Sequence, residues 1–90
     1  MQKAILSVVG KDKVGIIGLI CTYLAEENIN ILDISQTIVD GFFNMMLICD
    51  TTKAKKPFGQ IADEIEKLGS EIGVMAKIQR EEIFTSMQRI

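Results

Sequence analysis

The sequence predicts an α+β sandwich of order βαββαβ: a four-stranded antiparallel sheet, two helices on one face, and a short C-terminal helical tail. Three observations predict it. Two stretches with helical apolar spacing separate four stretches rich in β-forming residues. An Asp-Gly pair, Asp40-Gly41, joins the second and third of these as a hairpin, because the favoured two-residue turn requires positive φ at both positions. The first and third strands are apolar on both faces, as central strands are, whereas the second is mixed, as an edge strand is.

Each element has its own justification. From Gln2 to Val9, both alternating sets (Lys3, Ile5, Ser7, Val9 and Ala4, Leu6, Val8) are largely apolar, and Gly10-Lys11-Asp12-Lys13 ends the run. Ile17, Ile20, Cys21, Leu24 and Ala25 then recur at spacings of three and four, a helix predicted to end near Glu27. Asn28 follows, a residue that tolerates the left-handed conformation past a helix end. Ile29 to Val39 reads as a strand of imperfect parity: Ile29 and Ile31 share a face with Asp33, Ser35 and Thr37, while Leu32, Ile34 and Ile38 lie opposite. Either a bulge shifts its phase or one face is open to solvent. Phe42 to Asp50 is apolar on both sides.

After a loop from Thr51 to Lys56, Pro57 suits the first turn of a helix. Phe58, Ile61, Ala62, Ile65, Leu68 and Ile72 form its stripe, and Gly73 stops it. Val74 to Glu81 alternates with Val74, Ala76 and Ile78 inward. Residues 1–81 are thus one domain, followed by a tail, 82–90. Its Ile83, Phe84, Met87 and Ile90 need something to pack on, either the domain or a dimer partner. Right-handed crossovers around one hairpin make this the ferredoxin-like arrangement. Two helices cover one face only, so the apolar residues of the other face must meet a partner, the tail or a ligand.

Composition narrows the function. At 90 residues with 48% hydrophobic and 24% charged residues and a mean hydropathy of +0.26, the chain is neither disordered nor of low complexity. It carries more apolar surface than one small globule hides easily, which favours a partner subunit. A net charge of −2 argues against nucleic acid, which needs a basic surface. With no histidine, Ser-His-Asp triads and His-based metal sites are excluded, and no metal or cofactor is expected. Cys21 and Cys49 fit no CxxC pattern and read as reduced, buried thiols, which favours the cytoplasm. The five methionines read as core fillers, and Lys53, Lys55 and Lys56 as solvated charges. The longest uncharged stretch, Val14 to Ala25, falls short of the roughly 20 residues a membrane-spanning helix needs. No signal peptide is expected.

Two segments carry candidate chemistry. In Gly10-Lys11-Asp12-Lys13-Val14-Gly15-Ile16 a strand end turns into a helix start, where first-turn N–H groups lack partners and the helix dipole is positive. A carboxylate suits that place. Gly10 and Gly15 would let it approach the backbone, Lys11 and Lys13 raise the potential, and Asp12 could hold an ammonium group or could simply cap the helix. In the second segment, Asn28, Asn30 and Ile31 open a strand, and an amide there can donate and accept, as a zwitterion requires. The plainer account makes Asn28 a helix C-cap and Asn30 a turn residue.

Taken together, Gly-Lys-Asp-Lys-Val-Gly-Ile after the first strand, Asn-Ile-Asn-Ile opening the second and Asp-Gly-Phe-Phe after it resemble an ACT domain. The resemblance is to the small stand-alone ACT proteins, similar to half of the glycine cleavage system transcriptional repressor. It runs from about Gln2 to Ile90, the Glu-Glu-Ile-Phe tail included. It implies a regulatory, non-enzymatic module that binds a small molecule, usually an amino acid, in a homodimer formed through the second strand or the open sheet face. It also implies a ligand held between subunits, by Gly10 to Ile16 of one chain and Asn28, Asn30 and Ile31 of the other, with Asn30 as the polar anchor. The alternative is a protein-interaction module that docks a larger enzyme or regulator without sensing a ligand. Acylphosphatases share the fold, but they cradle phosphate with a first-loop arginine, for which Lys11 and Lys13 are poor substitutes.

Overall fold

A computed structural model describes residues 1–11 and 14–82. The elements run β1 (Lys3–Lys11), α1 (Ile16–Glu26), β2 (Asn30–Val39), β3 (Phe42–Asp50), α2 (Phe58–Ile72) and β4 (Val74–Arg80). The sheet order is β2-β3-β1-β4, and every paired neighbour is antiparallel. The ferredoxin-like sandwich is therefore the observed fold, with the two-faced apolar strands β1 and β3 at its centre.

One sheet face and both helices enclose the core. Ala4, Leu6 and Val8 of β1, Phe43, Met45, Leu47 and Cys49 of β3, and Val74, Ala76 and Ile78 of β4 meet Ile16, Ile20 and Leu24 of α1 and Ile61 and Ile65 of α2. The inward residues of α1 are thus Ile16, Ile20 and Leu24; Ala25 is exposed and Cys21 only half-buried, so the stripe sits slightly off its predicted line. Cys49 is buried, its thiol pushed up to about 11 by desolvation, and both cysteines are free. The core-filler reading fits Met45 alone among the described methionines; Met1, Met46 and Met75 are exposed.

Local chemistry sets the boundaries. Asp40 (φ 53) and Gly41 (φ 81) supply the two positive angles of the β2–β3 turn. Asn28 (φ 61) reverses the chain after α1, and Gly73 (φ 81) does so after α2. Pro57 occupies the cap position just before α2, one residue earlier than expected, with ψ 150 holding it outside the helix. Strand β1 continues through Gly10 and Lys11, opposite Phe43 and Phe42. In β2 the register slips between Ile31 and Asp33, so both expected causes of its odd parity are present: a bulge and an edge position.

Lys56 is not merely a solvated charge. Its Nζ lies 3.1 Å from Glu27 Oε2 and 2.9 Å from Glu64 Oε1, and Tyr23 donates its hydroxyl to the same Glu64 oxygen at 2.7 Å. Those bonds, with one from Gln60, hold the Glu64 carboxyl down to about 2. Burial, then the Glu64 carboxylate, raises the Tyr23 hydroxyl above its ordinary value. The network ties the end of α1 to the start of α2.

Candidate functional site

Strands β1 and β2 run in the same direction on either side of β3. Lys3, Asp50 and Asn30 therefore mark one end of the sheet, the near end, and Lys11, Phe42 and Val39 the far end. The loop after β1 lies at the far end and Asn28, Asn30 and Ile31 lie at the near end. Eight residues of strand at about 3.3 Å each separate them, roughly 25 Å. Within one chain the two candidate segments do not meet.

At the far end, Gly15 is the residue before α1 and has φ 91, the left-handed region; a Cβ there would strain the backbone but would touch nothing within 4 Å. No side chain caps the helix among the described residues, and the first helical bond runs from Leu19 N to Gly15 O at 3.0 Å. The first-turn N–H groups lack intrahelical partners and carry positive partial charge. Val14 and Lys11 are exposed beside them. Two expectations need correction. Gly10 does not leave room for a ligand, because a Cβ there would meet Val74 Cγ1 at 2.8 Å: its hydrogen side is filled by β4. The Ile16 side chain is buried in the core, so only its N–H faces the loop. Asp12 and Lys13 lie outside the described residues.

At the near end, Asn28 takes the left-handed angle of a helix end, and its Nδ2 donates to Lys53 O at 3.0 Å, tying it to the loop after β3. Asn30 is exposed and pairs across the ladder with Asp50, and Ile31 is exposed just before the bulge. Asp50 is a residue that the sequence reading missed. Its Oδ1 accepts from Thr52 Oγ1 (2.5 Å), Thr52 N (3.0 Å) and Gln2 N (3.3 Å), which hold the carboxyl below its ordinary value. The Asp50-Thr51-Thr52 run, a carboxylate two residues before a hydroxyl at a strand end, was the available signal. Asn28, Asn30, Asp50 and Lys53, with Ala25 and Ile29, line a hollow of about 230 Å³. It offers a fixed anion, a lysine and two amides within one small space.

Strand β2 connects the two ends. All ten of its residues are exposed, among them Ile31, Leu32, Ile34, Ile38 and Val39. Among the described residues no cluster of His, Cys, Asp and Glu could hold a metal ion, and no helix is long and apolar enough to cross a membrane.

The family model of the ACT domain matches residues 4–70. The chain belongs to the ACT domain family. A UPF0237 protein of Bifidobacterium longum is 59% identical over the full length of both chains, and another from Listeria innocua is 48% identical over 99% of this chain and all of its own. An ACT domain protein from Streptococcus pneumoniae superposes with a TM-score of 0.81 at 41% identity, covering 92% of this chain and 93% of that one. A candidate glycine cleavage system transcriptional repressor shares the fold alone (TM-score 0.74, 17% identity), with 88% of this chain matching 45% of that one. ACT domains are small-molecule-binding regulatory modules that often dimerise. The expected resemblance, to the small stand-alone members of the family, therefore holds.

Proposed function

We propose that this ACT domain is a non-catalytic, cytoplasmic regulator that binds an amino acid and acts through a homodimer. One observation carries the reading: β2 is a full-length free edge whose ten residues are all exposed and half of them large and apolar. Unpaired ladder groups beside apolar side chains are a template for a second strand. Antiparallel pairing with β2 of a second copy continues the sheet and sets the Asn30 end of one chain against the Val39 end of the other. The neighbour's α1 start then lies on the same side as Asn30. The roughly 25 Å gap within one chain is thereby closed between two. The ligand's carboxylate would meet the N–H groups after Gly15, and its polar remainder would meet Asn30.

A ligand in that seam binds the dimer better than the monomer, so binding and association strengthen each other. Titration calorimetry with the common amino acids, combined with sedimentation, tests the reading. Heat with at least one of them and a shift toward dimer is expected. No heat with any, and no change in mass, overturns it.

A second reading is favoured by a different observation. Val9, Phe42, Met46 and Met75 are exposed on the helix-free sheet face, which suits docking to a larger enzyme or regulator. A stoichiometric protein partner whose binding ignores amino acids would decide for that alternative.

A further inference from the structure

We propose that two copies pair along β2 in one register, with Gln36 opposite Gln36 of the partner subunit on the two-fold axis. The register rests on the dimer reading and adds which residue lies on the axis. After the slip between Ile31 and Asp33, β2 follows β3 without interruption from Asp33 to Val39, a regular segment whose middle residue is Gln36. Residues directly opposite in an antiparallel pair share a sheet face, so the axis must pass through a residue and not between two. With Gln36 on the axis the whole regular segment pairs with its own copy. An axis through Ser35 carries the pairing into the slip, and one through Thr37 carries it into the Asp40-Gly41 turn.

The side chains favour the same register. Ile34, Gln36 and Ile38 stand opposite the buried Leu47, Met45 and Phe43 of β3 and so face the helical side, whereas Asp33, Ser35, Thr37 and Val39 face away. With Gln36 on the axis, Ile34 meets the partner's Ile38 and Ile38 meets the partner's Ile34. Ser35 meets the partner's Thr37, and the two Gln36 carboxamides meet each other, each able to donate and accept. Either shifted register sets an isoleucine opposite an amide. Charge decides that a second copy takes this edge and not the other. Strand β4, Val74–Arg80, is also an outer strand, but its middle residue is Lys77, and the same self-pairing there would oppose two lysines. Of the expected tail beyond β4, residues 83–90 lie outside the described residues. Asp33 is the one charged residue from Asp33 to Val39, and it falls opposite the partner's Val39, roughly 20 Å of strand from its own counterpart. The assembly therefore closes at two chains, with one equivalent seam on each side of the Gln36 pair.

Oxidation of engineered cysteines tests the register. Gln36→Cys, Ser35→Cys and Thr37→Cys are each treated with diamide and followed on non-reducing gels, beside the parent chain, whose own Cys21 and Cys49 are half-buried and buried. Directly opposite Cα atoms lie about 4.5–5.5 Å apart, within disulfide reach, whereas a residue and its own copy one step off the axis lie about 7–8 Å apart, beyond it. Gln36→Cys should form covalent dimer roughly tenfold faster than the other two. Faster cross-linking of Ser35→Cys or Thr37→Cys would overturn the register and leave the β2 pairing standing. A sedimenting dimer in which none of the three cross-links faster than the parent would overturn the register and the β2 pairing together, as would a monomer. Gln36→Lys gives a check free of oxidation, because it opposes two like charges on the axis. It should weaken dimerisation roughly tenfold by sedimentation, and Ser35→Lys, facing the partner's Thr37, should weaken it less. Equal weakening by the two would also overturn the register.

Discussion

The sheet has two edges, and the chain treats them differently. Strand β4 buries Val74, Ala76 and Ile78 in alternation, under α2. That helix lies so close that a Cβ on Gly69 would sit 2.7 Å from the Ala76 methyl. Strand β2 buries none of its ten residues. Both are outer strands with unpaired backbone groups, yet one is a finished wall and the other is surface that a monomer gains nothing by exposing. The difference teaches that apolar content alone does not mark the core: Ile78 and Ile38 are the same residue type on the same side of the sheet, one buried and one in solvent.

Substitutions that treat the two edges alike should separate them. Ile78→Ala should cost about 2–5 kcal/mol, the range for truncating a buried aliphatic side chain, read as a lower urea midpoint. Gly69→Ala forces a methyl into the α2–β4 contact and should cost about 1–3 kcal/mol, with Tm falling accordingly and the oligomeric state unchanged. Ile38→Lys on β2 should leave monomer stability within about 0.5 kcal/mol of the parent while weakening dimerisation at least tenfold, about 1.4 kcal/mol, by sedimentation. Equal loss of stability from Ile38→Lys and Ile78→Ala would erase the comparison.

The smallest effect belongs to neither edge. The Glu64 carboxyl titrates near 2 in the fold, below its ordinary 4.5. A depressed carboxyl stabilises the fold above its unfolded value and loses that contribution as pH falls toward the folded one. Stability should therefore decline as pH drops from about 5 toward about 2, and Glu64→Gln should flatten that part of the profile without altering association. A dimer that weakens in Glu64→Gln would mean that the helix-side network and the β2 edge are coupled.

Most of the fold was legible because its signals are local. The Asp40-Gly41 turn, the α2 stripe from Phe58 to Ile72 and the Gly73 stop each depend on residues within one or two turns of chain, and the structure places them as read. The site was less legible because its features depend on what packs against what. Gly10 looked like an opening, but only the register with β4 shows Val74 filling the space. Ile16 looked like a loop residue and is core. Asp50 belongs to the near-end hollow through pairing with Asn30, twenty positions away, and through Thr52 and Gln2. Nor does the linear sequence say that the two candidate segments sit at opposite ends of the sheet. That follows from β1 and β2 running parallel with β3 between them.

The slip at Leu32 reaches further than its one residue. With it, Ile31 pairs with Cys49 and Ile34 with Leu47, so both point to the helical side although they are three apart, and Asp33, Ser35 and Thr37 face away. Asp33 Oδ1 accepts from Ile34 N at 2.8 Å just after the slip. Pairing Leu32 in regular register, with no bulge, would invert everything downstream: a carboxylate and two hydroxyls would turn toward α1, and the isoleucines would turn to the opposite side. The greasy character of the helical flank at this edge is thus set by one insertion rather than by the identity of the amino acids that follow it.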